Sequence, residues 1–285
     1  RGDIILGIDN LNDYYDIGLK NDRLQILKSY DSFKFEKVDI SDQDEFSKIF
    51  KNFQPTKVVN LAAQPGVRYS LINPYAYMNS NLVGFLNVLE LCRKYHVESL
   101  VYASSSSVYG NSKEKPFNID DYADQPISLY GATKRANELI AYSYSHLYEI
   151  KTTGLRFFTV YGPWYRPDMA MHIFAKKISN KEPIDVFNNG EMKRDFTFID
   201  DIIDGTISAI EKNYSCEIFN LGNNRSENLM DVIKLIEDNL GLKAIINFKP
   251  IQPGDVLETY ANIEHSQQKL NFQPKINIDK GIQYF

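Results

Sequence analysis

Strand-like and helix-like segments alternate along the first half of this sequence. Short apolar or alternating runs occupy residues 4–8, 33–39, 57–63 and 99–103, and helical periodicity separates them. Parallel strands require crossover connections of this kind, and the connecting helices cover both faces of the sheet. In such folds ligands bind at the carboxyl ends of the strands. The sequence therefore predicts an α/β fold, a doubly wound parallel sheet, with a site at that edge.

Polar side chains follow the first of these strands. Asp9 and Asn10 come directly after residues 4–8. In a dinucleotide-binding fold a carboxylate here accepts hydrogen bonds from the adenosine ribose and repels a 2′-phosphate, which favours NAD over NADP. A simple strand-ending turn uses the same residue types, so Asp9 and Asn10 alone leave both interpretations open.

A phosphate-binding loop of the form Gly-x-x-Gly-x-x-Gly is missing from the sequence. Either the fold is not a dinucleotide-binding fold, or the strand, loop and helix that carry this motif have been left out. The order of strands and helices favours the second alternative, so we expect the natural protein to be longer at its N-terminus. Small residues within 61–63, at the end of the third strand-like run, would let a cofactor pyrophosphate approach the backbone.

A tyrosine and a lysine stand four residues apart at Tyr130 and Lys134. On a helix the two side chains share a face, so the ammonium group can stabilise a phenolate. A phenol titrates near ~10, and lowering its pKa to about 7 takes roughly 4 kcal/mol at ~1.36 kcal/mol per unit. The same spacing begins at Tyr30 and at Tyr109, but only Tyr130 opens a long helical pattern. The serine run 104–107, at the end of a strand, precedes it and strengthens the case for a catalytic base.

Composition and charge exclude several classes of protein. The formal net charge of -5 is small and no basic cluster occurs, which argues against nucleic acid as the main partner. No apolar run approaches the ~18 residues of a membrane span. Cys92 and Cys216 stand far apart in apolar contexts, so a reduced cytoplasmic setting is the simpler explanation. The four histidines lack ligand spacing, and no metal is expected.

Six segments give the sequence a specific resemblance that runs nearly from end to end. It resembles the extended short-chain dehydrogenases/reductases of the NAD-dependent epimerase/dehydratase family, and within them the UDP-glucuronate 4-epimerases. The segments are 7–15 (GIDNLNDYY), 61–70 (LAAQPGVRYS), 102–110 (YASSSSVYG), 130–134 (YGATK), 155–163 (LRFFTVYGP) and 194–197 (RDFT). The resemblance implies a Rossmann-like sheet, a smaller C-terminal lobe that binds a UDP-sugar, and NAD as cofactor. The sequence departs from the family in lacking the N-terminal glycine loop and in ending early in the last helix.

The resemblance implies a role for each residue near the tyrosine. Tyr130, as a phenolate, would take the proton of the sugar 4-hydroxyl while hydride passes from C4 to NAD, which gives a 4-keto sugar. The ketone would turn in the site and be reduced on its other face. Lys134 would lower the pKa of Tyr130 and hold the nicotinamide ribose. Ser105 would bond the 4-oxygen, with Ser106 and Ser107 beside the substrate.

The resemblance also assigns cofactor and substrate positions. The cofactor positions are Asp9, Asn10, Asp39, Ile40, Leu61, Ala62, Ala63 and Asn81, together with Tyr130 and Lys134. The substrate positions beyond the serines are Arg68, Thr159, Arg166, Val186, Phe187, Arg194 and Asp255. Thr159, where relatives acting on neutral sugars carry asparagine, would hold the glucuronate carboxylate, with Arg68 and Arg166 as candidate charges. The nucleotide would contact Arg194 at the diphosphate, Asp255 at the ribose, and Val186 and Phe187 at the uracil.

The domain division can be predicted coarsely. We expect residues 1–157 to form the NAD-binding domain and residues 158–285 to form mainly the substrate lobe, which interleaves with the sheet near 194–220. The helical stretches at 74–96 and 130–148 resemble the pair of helices through which relatives dimerise. A homodimer is therefore expected.

Three functions compete. The first is 4-epimerisation of UDP-glucuronate, which would supply galacturonate for surface polysaccharide. The second is a related reaction: another UDP-hexose 4-epimerisation, or decarboxylation, since a 4-keto glucuronate is a β-keto acid. Dehydration is disfavoured because Ser106 and Ser107 stand where relatives carry an acid. The third is a truncated, non-catalytic chain that binds nucleotide sugar, which the absence of bound NAD from the intact-length protein would favour.

Overall fold

The computed structural model describes residues 2–285, which form a four-stranded parallel sheet and four two-stranded sheets. The strands are β1 (Ile5–Asp9), β2 (Phe33–Lys37), β3 (Lys57–Asn60), β4 (Ser99–Ser105), β5 (Thr152–Phe157), β6 (Thr159–Tyr161), β7 (Ile184–Phe187), β8 (Lys193–Arg194), β9 (Phe196–Phe198), β10 (Cys216–Leu221), β11 (Glu227–Asn228) and β12 (Ile246–Lys249). The four-stranded sheet has the order β10-β5-β4-β3, and β1 pairs with β2 in a separate two-stranded sheet. All of these pairings are parallel. The predicted α/β parallel sheet is confirmed.

Helices connect these strands. They are α1 (Ile17–Leu27), α2 (Gln43–Phe53), α3 (Tyr69–Ile72), α4 (Pro74–Tyr77), α5 (Gly84–Lys94), α6 (Leu129–Tyr148), α7 (Ala170–Ser179), α8 (Ile199–Lys212), α9 (Leu229–Leu240), α10 (Glu264–Leu270) and α11 (Ile278–Tyr284). Within the described residues, none of these helices combines the length and the apolar character that a membrane crossing requires. Their placement on the sheet follows from the apolar clusters described next.

Two apolar clusters lie on opposite faces of the four-stranded sheet. One lies under α5 and α6 and includes Phe85, Leu89 and Tyr102. The other lies under α8 and α10 and includes Leu155 and Phe219. Each fully buried side chain of this size stabilises the fold by roughly 1.5–3 kcal/mol relative to an exposed one. The sheet is therefore doubly wound, with its carboxyl edge left open between the two helical layers.

A third apolar cluster forms the core of a smaller lobe. It joins α7, α9 and α11 to β7 and β9, and includes Phe174, Ile184 and Val232. In the chain, β10 lies between β9 and α9, which both belong to the smaller lobe. It nevertheless pairs with β5 in the four-stranded sheet. The division of the chain at residue 157 stays a prediction.

The stretch predicted as one helix from 74 to 96 is interrupted. A π-helical segment, Met78–Val83, separates α4 from α5. Such segments are frequent at functional sites. Here the side chain of Asn81 is 1% exposed and hydrogen-bonds beneath the cleft described below.

The first turn of α6, the helix that carries Tyr130, is fixed by a side-chain cap and by a close contact with the serine run. The Ser128 hydroxyl accepts a hydrogen bond from the Gly131 amide at 3.0 Å, which caps α6. A Cβ atom at Gly131 would lie 2.5 Å from the carbonyl oxygen of Ser107. Glycine at this position therefore allows the first turn of α6 to approach the serine run.

Candidate active site

A cleft of about 890 Å³ opens at the carboxyl edge of the sheet, between the sheet and the smaller lobe. The predicted site residues that line it are Asp9, Asn10, Asp39, Ile40, Leu61, Ala62, Ala63, Ser105, Ser106, Ser107, Tyr130, Lys134, Thr159, Arg166, Arg194 and Asp255. Residues far apart in sequence thus share one cleft because the parallel strands end at the same edge.

The predicted catalytic residues lie where β4 meets the first turns of α6. Ser105 ends β4, and hydrogen bonding by its side chain lowers the pKa of Tyr130. Lys134 is 3% exposed and donates a hydrogen bond to the carbonyl of Ala103 at 2.8 Å. Tyr130 and Lys134 therefore lie on one helical face beside the end of the strand. The arrangement places a hydroxyl donor next to a phenol, as proton transfer requires.

Burial dominates the ionisation of this pair. Burial raises the pKa of Tyr130, and the hydrogen bond with Ser105 and the charge of Arg166 offset this only in part. Burial also lowers the pKa of Lys134 to about 8. Lys134 is not among the groups that lower the pKa of Tyr130, and its ammonium group is hydrogen-bonded to the strand carbonyl of Ala103. Stabilisation of the phenolate by Lys134 therefore stays a prediction.

Asn81 does not line the cleft but braces it from behind. Its side-chain oxygen accepts from the Gln64 amide at 2.7 Å, and its side-chain nitrogen donates to the Thr133 hydroxyl at 3.0 Å. Asn137 in turn donates to the Asn81 carbonyl at 2.6 Å. These bonds tie the loop after β3 to α6 next to Lys134. A brace, rather than a direct cofactor ligand, is what this geometry supports.

The end of the cleft formed by β1 is polar. Asp9 accepts from the Leu11 amide at 2.6 Å, and the Asn10 side chain donates to Asp39 at 2.8 Å. The ammonium group of Lys20 lies 3.0 Å from the Asn12 side-chain oxygen and 3.7 Å from the Asp9 carboxylate. Ionised Asp9 retains further acceptor capacity for ribose hydroxyls. These residues fit the adenosine end of a dinucleotide.

Lys20 was missed by the sequence interpretation. It is 8% exposed although it lies on a surface helix, and it lines the cleft. The helix α1 has no clear apolar face that would mark its inner side. Only the fold of the segment after β1 shows that this lysine points inward.

Replacing the Asp9 carboxylate tests the cofactor end. We expect Asp9→Ala to weaken NAD binding by about 10- to 100-fold, because hydrogen bonds to a charged group contribute roughly 1.5–3 kcal/mol. Binding of NADP should fall much less, because the repulsion of its 2′-phosphate is also removed. Titration calorimetry with both dinucleotides measures the ratio. Asp22→Ala, on the exposed side of α1, is the matched control and should bind both as the parent does.

At the substrate end, Asp255 lines the cleft, whereas Arg68 and Phe187 do not. Arg68 donates to the Asp255 carboxylate at 2.8 Å, and its guanidinium lies 4.1 Å from the centre of the Phe187 ring. Arg194 donates to the carbonyl of Leu257 at 3.2 Å, two residues after Asp255 in the same segment. Four residues predicted separately, Arg68, Phe187, Arg194 and Asp255, are thus linked through these contacts.

The remaining predicted substrate residues differ in placement. Arg166 and Thr159 line the cleft, and the Arg166 guanidinium lies 3.6 Å from Asp168, a counter-charge that sequence interpretation missed. Tyr14 donates to the other Asp168 oxygen at 3.2 Å. Val186 is 0% exposed in the core of the smaller lobe and does not line the cleft, so its side chain is structural. Alternation along β7 places Val186 inward, and the aromatic Phe187 carries the contact with Arg68.

The parallel sheet, the cleft at its carboxyl edge and the paired tyrosine and lysine define a dinucleotide-dependent enzyme of the Rossmann-like class. The chain belongs to the NAD dependent epimerase/dehydratase family, whose sequence model matches residues 2–222. NAD is accordingly its cofactor, and the polar end of the cleft around Asp9 fits it.

Named relatives and a solved structure are similar over almost the whole chain. The UDP-glucuronate 4-epimerase of Thermodesulfobacterium geofontis is 42% identical over 283 residues, 99% of this chain and 87% of that protein. The UDP-glucuronate 4-epimerase 4 of Arabidopsis thaliana is 44% identical over 303 residues, 100% of this chain and 69% of that protein. The crystal structure of the UDP-glucuronic acid 4-epimerase from Bacillus cereus, in complex with UDP-glucuronic acid and NAD, superposes with a TM-score of 0.92 at 34% identity. The match covers 98% of this chain and 88% of that one.

Proposed function

We propose that the protein is an NAD-dependent 4-epimerase that interconverts UDP-glucuronate and UDP-galacturonate through a 4-keto sugar. The observation that carries this proposal is the gathering of Tyr130, Ser105 and Lys134 in the same cleft as Thr159 and Arg166. The first three residues can move a proton at a sugar hydroxyl. The other two can hold a carboxylate. Similarity to the named 4-epimerases over almost the whole chain supports the same activity.

The chemistry assigned to this chain's residues is proton transfer and orientation. Tyr130 takes the proton from the 4-hydroxyl as C4 is oxidised, and it returns the proton when C4 is reduced. Ser105 hydrogen-bonds the 4-oxygen in both steps, so the oxygen stays in place while the sugar ring turns. NAD, when bound, accepts a hydride from C4 and gives it back. Because every group returns to its starting state, the net result is inversion at C4 without net oxidation.

Recognition of the carboxylate also protects the intermediate. A 4-keto glucuronate is a β-keto acid, and it loses carbon dioxide when the carboxylate bond aligns with the carbonyl π system. Thr159 and Arg166 would fix the carboxylate through hydrogen bonds and charge, at a distance from the aligned position. Asp168, 3.6 Å from Arg166, would limit the rotation of the guanidinium. At the other end, Arg194 would contact the diphosphate and Asp255 the ribose.

The proposal is tested by incubating the intact-length protein with UDP-glucuronate and separating the products by chromatography with mass detection. The expected product has unchanged mass and co-elutes with UDP-galacturonate. A product lighter by carbon dioxide would assign decarboxylation instead. UDP-glucose is the matched alternative substrate; if its kcat/KM equals or exceeds that of UDP-glucuronate, carboxylate recognition by Thr159 and Arg166 is wrong.

We also propose that the protein acts as a homodimer in the cytoplasm. Apolar side chains lie on the outer surface of the adjacent helices α5 and α6: Leu86 is 42% exposed, Leu139 is 54% exposed and Tyr142 is 64% exposed. Exposed apolar side chains on two adjacent helices favour burial against a second copy of the chain. The free cysteines Cys92 and Cys216 suit a reducing compartment.

Charging the apolar face tests the dimer. We expect the double variant Leu86→Asp with Leu139→Asp to shift the mass in light scattering from two chains to one, since each buried carboxylate would lack a partner. Leu240→Asp, 39% exposed at the end of α9, is the control and should keep the parental mass. A parent with the mass of one chain would contradict the proposal directly.

A further inference from the structure

A buried ion pair outside the cleft joins the catalytic helix to two strands. The carboxylate of Glu138, whose side chain is 1% exposed, receives the Arg156 guanidinium in a fork, with Nε at 2.8 Å and Nη2 at 2.9 Å. The same carboxylate accepts from the Ser104 hydroxyl at 2.5 Å and from Arg135 at 2.8 Å. Four hydrogen bonds thus hold one carboxylate in a single orientation.

The pair lies in direct line with the proposed catalytic residues. Tyr130, Lys134 and Glu138 stand at successive turns of α6, four residues apart. All three contact the last residues of β4: Tyr130 through Ser105, Lys134 through the carbonyl of Ala103, and Glu138 through Ser104. Glu138 is therefore the point where the helix is fixed against the strand, away from solvent and substrate.

Arg156 is itself held firmly. It is on β5, directly opposite Ser104 in the parallel register. Its guanidinium lies 4.7 Å from the centre of the Tyr109 ring, and the Tyr109 hydroxyl donates to Asn220 on β10 at 2.7 Å. Glu138 is thus connected to three neighbouring strands: to β4 through Ser104, to β5 through Arg156, and indirectly to β10 through Tyr109.

The electrostatics argue for a role beyond stability. Burial alone would raise the pKa of Glu138, but Arg156, Ser104 and Arg135 hold it below its usual range, so the carboxylate stays charged. A buried ion pair often adds little net stability, because desolvation offsets the attraction. What such a pair does supply is a fixed direction and distance between the elements it joins.

We propose that the Glu138–Arg156 pair is a positioning device that sets the placement of α6 along β4, and thereby the geometry of Tyr130 and Lys134 relative to Ser105. Glu138 and Arg156 are positioning residues and contact no reacting atom. The kinetic test of this proposal rests on the proposed function, whereas the placement of α6 by the ion pair does not depend on it. A misplacement of about 1 Å at a reacting group can cost as much as ~10²-fold in rate.

The acidic limb of the rate profile reports this geometry through Tyr130. The polar and charged groups that face Tyr130 are Ser105 at the end of β4, Lys134 on α6, Arg166 from the smaller lobe, and Tyr77, whose ring centre lies 6.2 Å away. In the parent, the hydrogen bond with Ser105 lowers the pKa of Tyr130. Displacement of α6 would weaken this bond. The pKa should therefore rise, and the acidic limb of kcat should move to higher pH.

The test is Glu138→Gln, which keeps the shape of the side chain and removes its charge. We expect kcat to fall about tenfold or more, KM for UDP-glucuronate to change less than about twofold, and the acidic limb to move upward by about one pH unit. Glu217→Gln is the matched control: Glu217 on β10 accepts from Lys269 on α10 and also joins a strand of the same sheet to a helix, away from the cleft. It should leave kcat and the limb unchanged. Parental kcat and an unmoved limb in folded Glu138→Gln would overturn the proposal.

A second variant covers the case in which Glu138→Gln does not fold, because it leaves Arg156 buried and unpaired. The double variant Glu138→Gln with Arg156→Met removes both charges and should restore folding without restoring the limb. Ultraviolet titration of the phenolate, taken as the difference from the same background carrying Tyr130→Phe, measures the pKa of Tyr130 without any substrate. A raised pKa in a protein that converts no UDP-glucuronate would support the positioning role and reject the proposed function. An unchanged pKa of Tyr130 in the variant, together with an active parent, would reject the positioning role and support the proposed function.

Discussion

Tyr130→Phe is expected to lower kcat by about 10²- to 10⁴-fold, the usual contribution of a positioned general base. The substitution removes one oxygen and keeps the ring, so the aromatic contact with Tyr77, at 6.2 Å between ring centres, should remain. Binding of UDP-glucuronate and NAD should change little, because the lost group acts mainly on the transferred proton. Initial rates together with the two dissociation constants measure the separation.

Tyr30→Phe is the matched control. Tyr30 also has a lysine four residues later, but it is 61% exposed and stands in the connection between α1 and β2. The control should retain the parental rate. A Tyr130→Phe variant with more than about one tenth of the parental kcat would contradict the assignment of Tyr130 as the base.

Lys134→Met is expected to lower kcat by about 10²- to 10³-fold, comparable with the loss of one preorganised electrostatic donor. We expect the ammonium group to stabilise the phenolate that forms when Tyr130 loses its proton, since the two side chains lie on one face of α6. Burial lowers the pKa of Lys134 to about 8, so the parent should lose activity as the pH rises past this value and the ammonium is deprotonated. The variant has no ammonium and should lack this basic limb.

Two further substitutions bracket the result for Lys134. Lys134→Arg keeps a charge at all accessible pH values, so its basic limb should be absent, while its larger planar group lowers the rate by displacing the helix. Lys113→Met, an exposed lysine of the pattern that begins at Tyr109, should behave as the parent. A basic limb that persists unchanged in Lys134→Met would assign it to another group.

The elements that the sequence predicted best are those whose pattern is local. The strands ending at Asp9, Asn60 and Ser105 carry apolar runs followed by polar residues, and parallel packing then brings their ends to one edge. The helix from Leu129 to Tyr148 was predictable from Tyr130 onward, because apolar residues recur there at helical spacing. One edge, one helix and one serine run were enough to locate the cleft.

The features that sequence did not reveal are set by distant contacts. Whether Arg68 meets the substrate or a protein carboxylate depends on Asp255, 187 residues away in the chain. Lys20 has no local signal, because α1 lacks an apolar face. The fork between Glu138 and Arg156 joins a helix to a strand, and charged residues in such patterns are usually solvent-exposed. These contacts require the fold before they can be recognised.

The most direct test of the account uses UDP-glucuronate that carries deuterium at C4. The account predicts that the protein converts it in ordinary water to UDP-galacturonate with the deuterium retained at C4, because the hydrogen leaves and returns within the closed site while only the hydroxyl proton passes through Tyr130. Mass spectrometry of the separated product measures the label. Loss of the deuterium to solvent, or a product that retains the original configuration at C4, would contradict epimerisation by oxidation and reduction at that carbon.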